Sequence, residues 1–191
     1  ICGSISATIV LYFILVNVLL HTVSLNPYTI ILLGLLSSLI AFLFFNWSPS
    51  KMFMGDTGTQ FLGFILGALA IMYGYNQPDL WGNKILTKQL LTVITIFILP
   101  ISDTTTVFIN RLLRGQSPFI GGRDHTTHNL SYIGLSDRNV ALLFIVINLI
   151  SIALALYIYT ISSWSILYIT LNISYIAIIF SSLFIVTRIN E

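Results

Sequence analysis

The ionisable residues of this chain are few, and several fall at spacings suited to handling phosphate. In Lys51-Met52-Phe53-Met54-Gly55-Asp56-Thr57-Gly58-Thr59-Gln60, one carboxylate stands between two glycines at the head of an apolar run. A carboxylate at a water boundary is a hard oxygen ligand for Mg2+, with Mn2+ as an alternative, and the glycines leave room for a bulky phosphate. The same aspartate can cap the following helix by accepting backbone N–H groups, and both roles can hold for one residue. A second carboxylate, Asp103, follows Leu99-Pro100-Ile101-Ser102 and precedes Arg111 by eight residues. On a straight helix that spacing sets it about 12 Å beneath the helix end, where a charge needs a partner or a cavity. Pro100 loosens the local backbone hydrogen bonding. Asp103 therefore either bonds to nearby Ser, Thr or an arginine, or lines a substrate site.

The stretch from Arg111 to Leu130 gathers Arg111, Arg114, Arg123, His125 and His128, with Gly115, Gly121 and Gly122. Arginines at a membrane face can do no more than fix topology. The histidines ask for more: three residues apart, they can share one face of a helical turn, and imidazole near neutral pH donates to phosphate or moves a proton. A zinc site is the rival, but no cysteine and no further histidine stands near to complete it. Lastly, Asp137 and Arg138 follow Gly134-Leu135-Ser136. Ser136 or Asp137 can cap a helix, with Arg138 at the interface and no chemistry assigned to either charge.

The elements that must position these groups are membrane helices. Of 191 residues, 57% are hydrophobic and 7% charged, whereas a soluble domain carries about 25% charged residues. A soluble protein is excluded. The net charge of +2 is too small and sparse for a nucleic-acid face. One cysteine, Cys2, permits no internal disulfide and no thiolate cluster. Six windows are long and apolar enough to cross a bilayer as helix, at about 3–21, 28–45, 57–75, 89–110, 139–160 and 165–187. The expected fold is all-α, a polytopic membrane helix bundle forming a single membrane-embedded domain over 1–191. Gly63 and Gly67, four apart, predict close helix packing in the third span.

Alternating spans put loops 47–56 and 111–138 and the C-terminal end on one side, with Lys51, Arg111, Arg114, Arg123, Arg138 and Arg188. The other side receives the turn around Asn26 and Pro27, the segment 76–88 with Lys84 and Lys88, and the turn near Ser163. The richer side is expected to be cytoplasmic. Trp47, Trp81 and Trp164 fall at predicted helix ends, where amphipathic rings prefer the interface.

The run from Phe45-Asn46-Trp47-Ser48-Pro49-Ser50-Lys51 through Gly55-Asp56-Thr57-Gly58-Thr59-Gln60-Phe61-Leu62-Gly63, the run Leu99 to Asp103 and the loop Arg111 to His128 resemble, in order and spacing, the second half of a polyprenyl-phosphate N-acetylhexosamine-1-phosphate transferase of the glycosyltransferase family 4 type. The resemblance implies transfer of a sugar 1-phosphate from a UDP-N-acetylhexosamine to a polyprenyl phosphate, usually undecaprenyl phosphate, with release of UMP. Such a step begins a cell-envelope polysaccharide, such as an O-antigen or a teichoic-acid linkage, at the bacterial cytoplasmic membrane. By the same likeness Asp56 matches a Mg2+-binding aspartate, and His125 and His128 match two positions of a histidine motif that contacts the nucleotide sugar's phosphates. Arg111, Arg114 and Arg123 fall on cationic positions of that loop, and Asp103 joins them as a candidate substrate-binding residue. Two departures stand out: Thr127 replaces an imidazole of the motif, and Gly122 replaces an aspartate that often precedes the loop's arginine, with Asp124 after Arg123 instead. Paired-aspartate and Asp-Gly motifs of the family are expected before Ile1, so residues 1–191 alone are expected to be inactive. A homodimer is an assembly open to it. The alternative is a transporter or channel subunit with Asp103 and the arginines along a path. A purely structural scaffold leaves Asp56 and the histidines without purpose.

Overall fold

The computed structural model describes residues 1–21, 27–119, 122 and 124–189. Eight α-helices follow one another: α1 Cys2–His21, α2 Pro27–Asn46, α3 Gly55–Leu69, α4 Leu86–Ile96, α5 Ile98–Leu113, α6 Thr126–Tyr132, α7 Asp137–Thr160 and α8 Ile166–Ile189. A π-helical segment, Ala70–Tyr75, prolongs α3. The molecule is an all-α polytopic bundle, and five of the described helical spans are long and apolar enough to cross a membrane, six with α4 and α5 taken as one broken span. The apolar span of α1 is 61% buried and that of α8 only 11%, so α1 is the central helix and α8 turns most of its apolar surface outward. That is the pattern of a bundle solvated by lipid, where surface side chains need not be polar.

α1 packs against α2, α3 and α7, while α4 lies between α7 and α8 and α5 runs along α8. With lipid as apolar as leucine, hydrophobic burial alone does not specify which helices meet; polar pairs across helices do. Asn17 of α1 donates to the Tyr73 hydroxyl at 2.9 Å and accepts from Thr29 of α2 at 3.0 Å. Asn148 of α7 donates to Thr8 of α1 at 2.5 Å. Asn172 of α8 donates to Thr95 of α4 at 2.9 Å, and Asn110 of α5 to Thr187 of α8 at 2.9 Å. Each such bond contributes about 1 kcal/mol, so together they fix neighbours and register.

Two expectations are corrected. The fourth span is not a straight helix over 89–110: α4 and α5 meet at Phe97 with a bend of 75°. Pro100 explains it, since it lacks the N–H that the Ile96 carbonyl would accept, and its ring crowds that carbonyl. Gly63 and Gly67 do not pack against another of the described helices either, because a Cβ at either position would meet nothing within 4 Å among the described residues. The close approach in this region is at Gly74 instead, where a Cβ would run into the side chain of Val93 on α4.

At one end of the bundle, Lys88 and Asp79 form a buried ion pair at 2.7 Å. Lys88 also donates to the Ile161 carbonyl at 2.6 Å, and the Asp79 carboxylate accepts from the backbone N–H groups of Trp81 and Asn83. Burial pushes the Asp79 carboxyl up, but the hydrogen bonds from Lys88, Asn83 and Trp81 outweigh it and hold the group below the usual carboxylate range. Trp47 and Trp164 fall beside helix ends as expected, whereas Trp81 lies mid-loop between Tyr75 and Leu86; Trp81 donates to the Thr160 carbonyl at 2.9 Å and Trp164 to Thr87 at 3.0 Å. The first bond ties the 76–85 loop to the end of α7, and the second ties the α7–α8 turn to the start of α4. The chemistry-bearing residues lie at the opposite end.

Candidate functional site

The loop after α5 is closed by glycine. Gly115 has φ 67°, and its N–H bonds the Leu112 carbonyl while that of Gln116 bonds the Arg111 carbonyl, the double bond that ends a helix with a left-handed residue. The same pair recurs after α6, where Gly134 has φ 101° and the Leu130 and Ser131 carbonyls accept. Ser136 then caps α7, accepting from the Asn139 N–H at 3.3 Å, as expected.

Between these corners, two ion pairs shape the loop. Arg111, buried in the last turn of α5, makes a two-bond fork to Asp124, Nε to Oδ2 at 2.6 Å and Nη2 to Oδ1 at 2.7 Å, and donates through Nη1 to the Pro118 carbonyl. The Arg111 guanidinium holds the Asp124 carboxyl down to about 2, so the clamp persists at any physiological pH. Gly122 lies against it, and a Cβ there would strike both the Asp124 carboxylate and the Arg111 guanidinium. Residue 122 is thus glycine because the Arg111–Asp124 pair occupies the space of a side chain. Arg111 spends its fork on shaping the loop, while Arg114 ends α5 with its side chain exposed. Arg123 lies outside the described residues.

Asp103 is the second anchor. Its Oδ2 lies 2.8 Å from His125 Nδ1, and its Oδ1 accepts from the Thr126 N–H at 2.8 Å and the Thr126 hydroxyl at 2.6 Å. Among the described residues its partners are therefore a histidine and a threonine and not an arginine. One quarter of its side chain is exposed, since the bend at Phe97 sets α5 where the loop can reach it. Asp103 directs Nδ1 of His125 inward and leaves Nε2 for a ligand, the arrangement by which a carboxylate fixes an imidazole's orientation. Hydrogen bonding to Asp103 raises the His125 pKa above its ordinary value, against the opposing effect of burial.

A group raised in the folded state adds stability that is complete below its unfolded pKa and fades as pH climbs through the folded one. Asp103→Asn is therefore expected to lower the melting temperature most at mildly acid pH, with the gap to wild type closing above neutrality. The His125 side chain is 46% exposed, so the pair's contribution is below about 1 kcal/mol. Melting curves from pH 5.5 to 8.5 check this, and a gap that widens with pH would contradict it.

His125 and His128 do not share one helical face. His125 is the extended residue just before α6, whereas His128 is inside α6 and exposed. His128 lines a cavity of about 480 Å3 with Asp56, Thr59, Ser131, Asp137 and Arg138, walled by Phe42, Leu43 and Phe53. His125 is not among its lining residues. Asp56 does not cap α3, since the N-cap is Met54 and no side chain bonds there. Its carboxylate is exposed on the cavity. Among the described residues no three His, Cys, Asp or Glu are grouped to hold a metal ion. Magnesium binds through one or two carboxylates plus water and substrate phosphate, so Asp56 fits as a single protein ligand. Sequence assigns no chemistry to Asp137 and Arg138, because only the packing of α7 against α1 and α6, with α3 also on α1, puts them on this cavity; their one signal is charge next to a capping serine.

A family model described as glycosyl transferase family 4 matches residues 1–74. The chain is 33% identical over 148 residues to a Bacillus subtilis protein named probable undecaprenyl-phosphate N-acetylglucosaminyl 1-phosphate transferase, covering 78% of this chain and 38% of that one. It is 30% identical over 124 residues to the decaprenyl-phosphate N-acetylglucosaminephosphotransferase of Mycolicibacterium smegmatis, covering 61% and 30%. It is 33% identical over 130 residues to the phospho-N-acetylmuramoyl-pentapeptide-transferase of Thermotoga petrophila, covering 63% and 36%. The chain thus spans less than two-fifths of the length of these curated relatives. No solved structure matches it. The family match takes in α1 to α3 and with them Asp56, and the similarity to the Bacillus protein extends over most of the bundle: this multi-pass membrane chain belongs to glycosyl transferase family 4.

Proposed function

We propose that the complete protein transfers an N-acetylhexosamine 1-phosphate from a UDP-sugar to a polyprenyl phosphate at the bacterial cytoplasmic membrane, with loops 47–56 and 111–138 cytoplasmic. The observation that carries this reading is the cavity that the exposed carboxylate of Asp56 and His128 line together beside apolar walls. A phosphate oxygen of the lipid attacks the phosphorus attached to the sugar. A new P–O bond forms, the P–O bond to the uridine-bearing phosphate breaks, and UMP leaves with the electron pair. Little covalent work falls to the protein in such a transfer; it positions the phosphates and neutralises their charge. Asp56 would hold Mg2+ or Mn2+, which when bound neutralises charge on the diphosphate. His128, from the cavity wall, and His125, as the imidazolium that Asp103 favours and through the Nε2 that Asp103 leaves open, donate hydrogen bonds to phosphate oxygens. Asp103 is engaged by His125 and Thr126 of the loop, so it does not stand free along a transport path.

The test is transfer of labelled sugar phosphate from UDP-N-acetylhexosamines to undecaprenyl phosphate by the complete protein with Mg2+. No lipid-linked product with any donor would refute the reading. His125→Ala and His128→Ala are each expected to raise the KM for the UDP-sugar by about tenfold or more, and that for the lipid phosphate by much less. Equal rises for both substrates would count against contact with the nucleotide.

A further inference from the structure

The positive charge on the cavity remains to be placed. Arg111 is committed to Asp124, and among the described residues the only lysine or arginine that lines the cavity is Arg138. Its side chain is exposed, and among the described residues it has no hydrogen-bond or ion-pair partner. Its neighbour Asp137 does not hold it, for Asp137 Oδ1 accepts from the Ser131 hydroxyl at 3.1 Å and so braces the α6–α7 corner. Arg138 also stands in the first turn of α7, the positive end of the helix dipole, where a cation is disfavoured and an anion favoured. An arginine that served only to set topology would have no need of this position or of a cavity. Both are accounted for by an anion that the guanidinium and the helix end attract together.

The surroundings narrow the anion. A guanidinium presents a planar fork that matches two oxygens of a phosphate. Asp56 and Asp137 bring two carboxylates to the same cavity, so a phosphate can be held beside them only where a fixed cation offsets their repulsion. Phe42, Leu43 and Ala141 supply an apolar wall at the ends of α2 and α7.

We propose that Arg138 is a substrate-binding residue, holding through its guanidinium the phosphate of a substrate that enters this cavity. The inference takes its substrates from the transferase reading, and two carry the required group: the phosphate of the polyprenyl carrier and the diphosphate of the nucleotide sugar. The test uses the complete protein purified in detergent, with Arg138→Gln and with Arg138→Met, which keeps most of the aliphatic stem and carries the measurement if the first variant melts early. Equilibrium binding of undecaprenyl phosphate alone and of UDP-N-acetylglucosamine alone is measured beside the KM for each. The expected result is a rise of at least about tenfold in Kd and KM for one of the two, with an unchanged melting temperature. A rise confined to the lipid assigns its headgroup to Arg138; a rise confined to the nucleotide sugar assigns the diphosphate. Wild-type binding of both substrates by a folded variant would overturn the inference and leave the transferase reading intact. Arg138-dependent binding in a wild-type protein that transfers nothing would sink the reading and leave the phosphate site standing.

Discussion

Replacing Asp56 by asparagine in the complete protein is expected to lower kcat by about a thousandfold, with no recovery at raised Mg2+, while the protein inserts and melts as wild type does. Both halves follow from where the carboxylate sits. α3 starts at Gly55 after an N-cap residue, Met54, that makes no side-chain bond, so the helix does not depend on Asp56 to satisfy its first N–H groups. Asparagine is isosteric and remains compatible with a helix's first turn, but it removes the negative charge that a divalent cation requires. A carboxylate serving only the fold would show the converse, a lower melting temperature with turnover per folded molecule preserved. Near-normal turnover in Asp56→Asn would take the residue out of the site.

Lys88→Met should destabilise the protein by about 3 kcal/mol, because removing one partner of a buried ion pair strands the other charge. Lys88 and Asp79 each expose only 4% of their side chains, too little for water to take over. The double variant Lys88→Met, Asp79→Asn is expected to recover more than half of the loss, since removing both charges removes the stranded one. The Asp79 carboxyl is held below its ordinary value, so the pair's contribution is present above about pH 4 and is lost as pH falls through the lowered pKa. The gap between wild type and Lys88→Met should accordingly narrow in acid. Because the pair joins the 76–85 loop to α4 and the α7–α8 turn, far from the cavity, the folded fraction of each variant should keep its KM for both substrates. Melting curves with paired kinetics decide this; a double variant as unstable as Lys88→Met would show that the loss comes from packing rather than stranded charge.

The spans were legible because they depend on local composition. A helix in hydrocarbon must be apolar along its length and satisfy its own backbone, so runs such as that of α7 show themselves residue by residue. The arrangement of polar residues at two ends was legible for the same reason, since charges are expelled from the apolar runs. The break at Phe97 was half legible: Pro100 marked a weak point, but a 75° bend depends on what α5 packs against, and α8 supplies that through Asn110 and Thr187.

The site divides along the same line. Sequence by itself placed Asp56, Arg111, His125 and His128 near one end of the bundle, because each is charged or polar and lies at or beyond the end of an apolar run, and set Asp103 about 12 Å beneath that end. Which of them touch was beyond it. Asp103 takes His125 and Thr126 rather than an arginine, Arg111 takes Asp124, His128 parts from His125 to face Asp56's cavity, and Arg138 joins that cavity from α7. Asp103 and His125 stand 22 residues apart, and Arg138 comes to the same cavity as Asp56 only because α3 and α7 both pack on α1. A polar side chain fits many partners equally well, so the choice among them is made by the helix ends that bends, caps and interhelical hydrogen bonds bring together, and that choice exists only in the folded bundle.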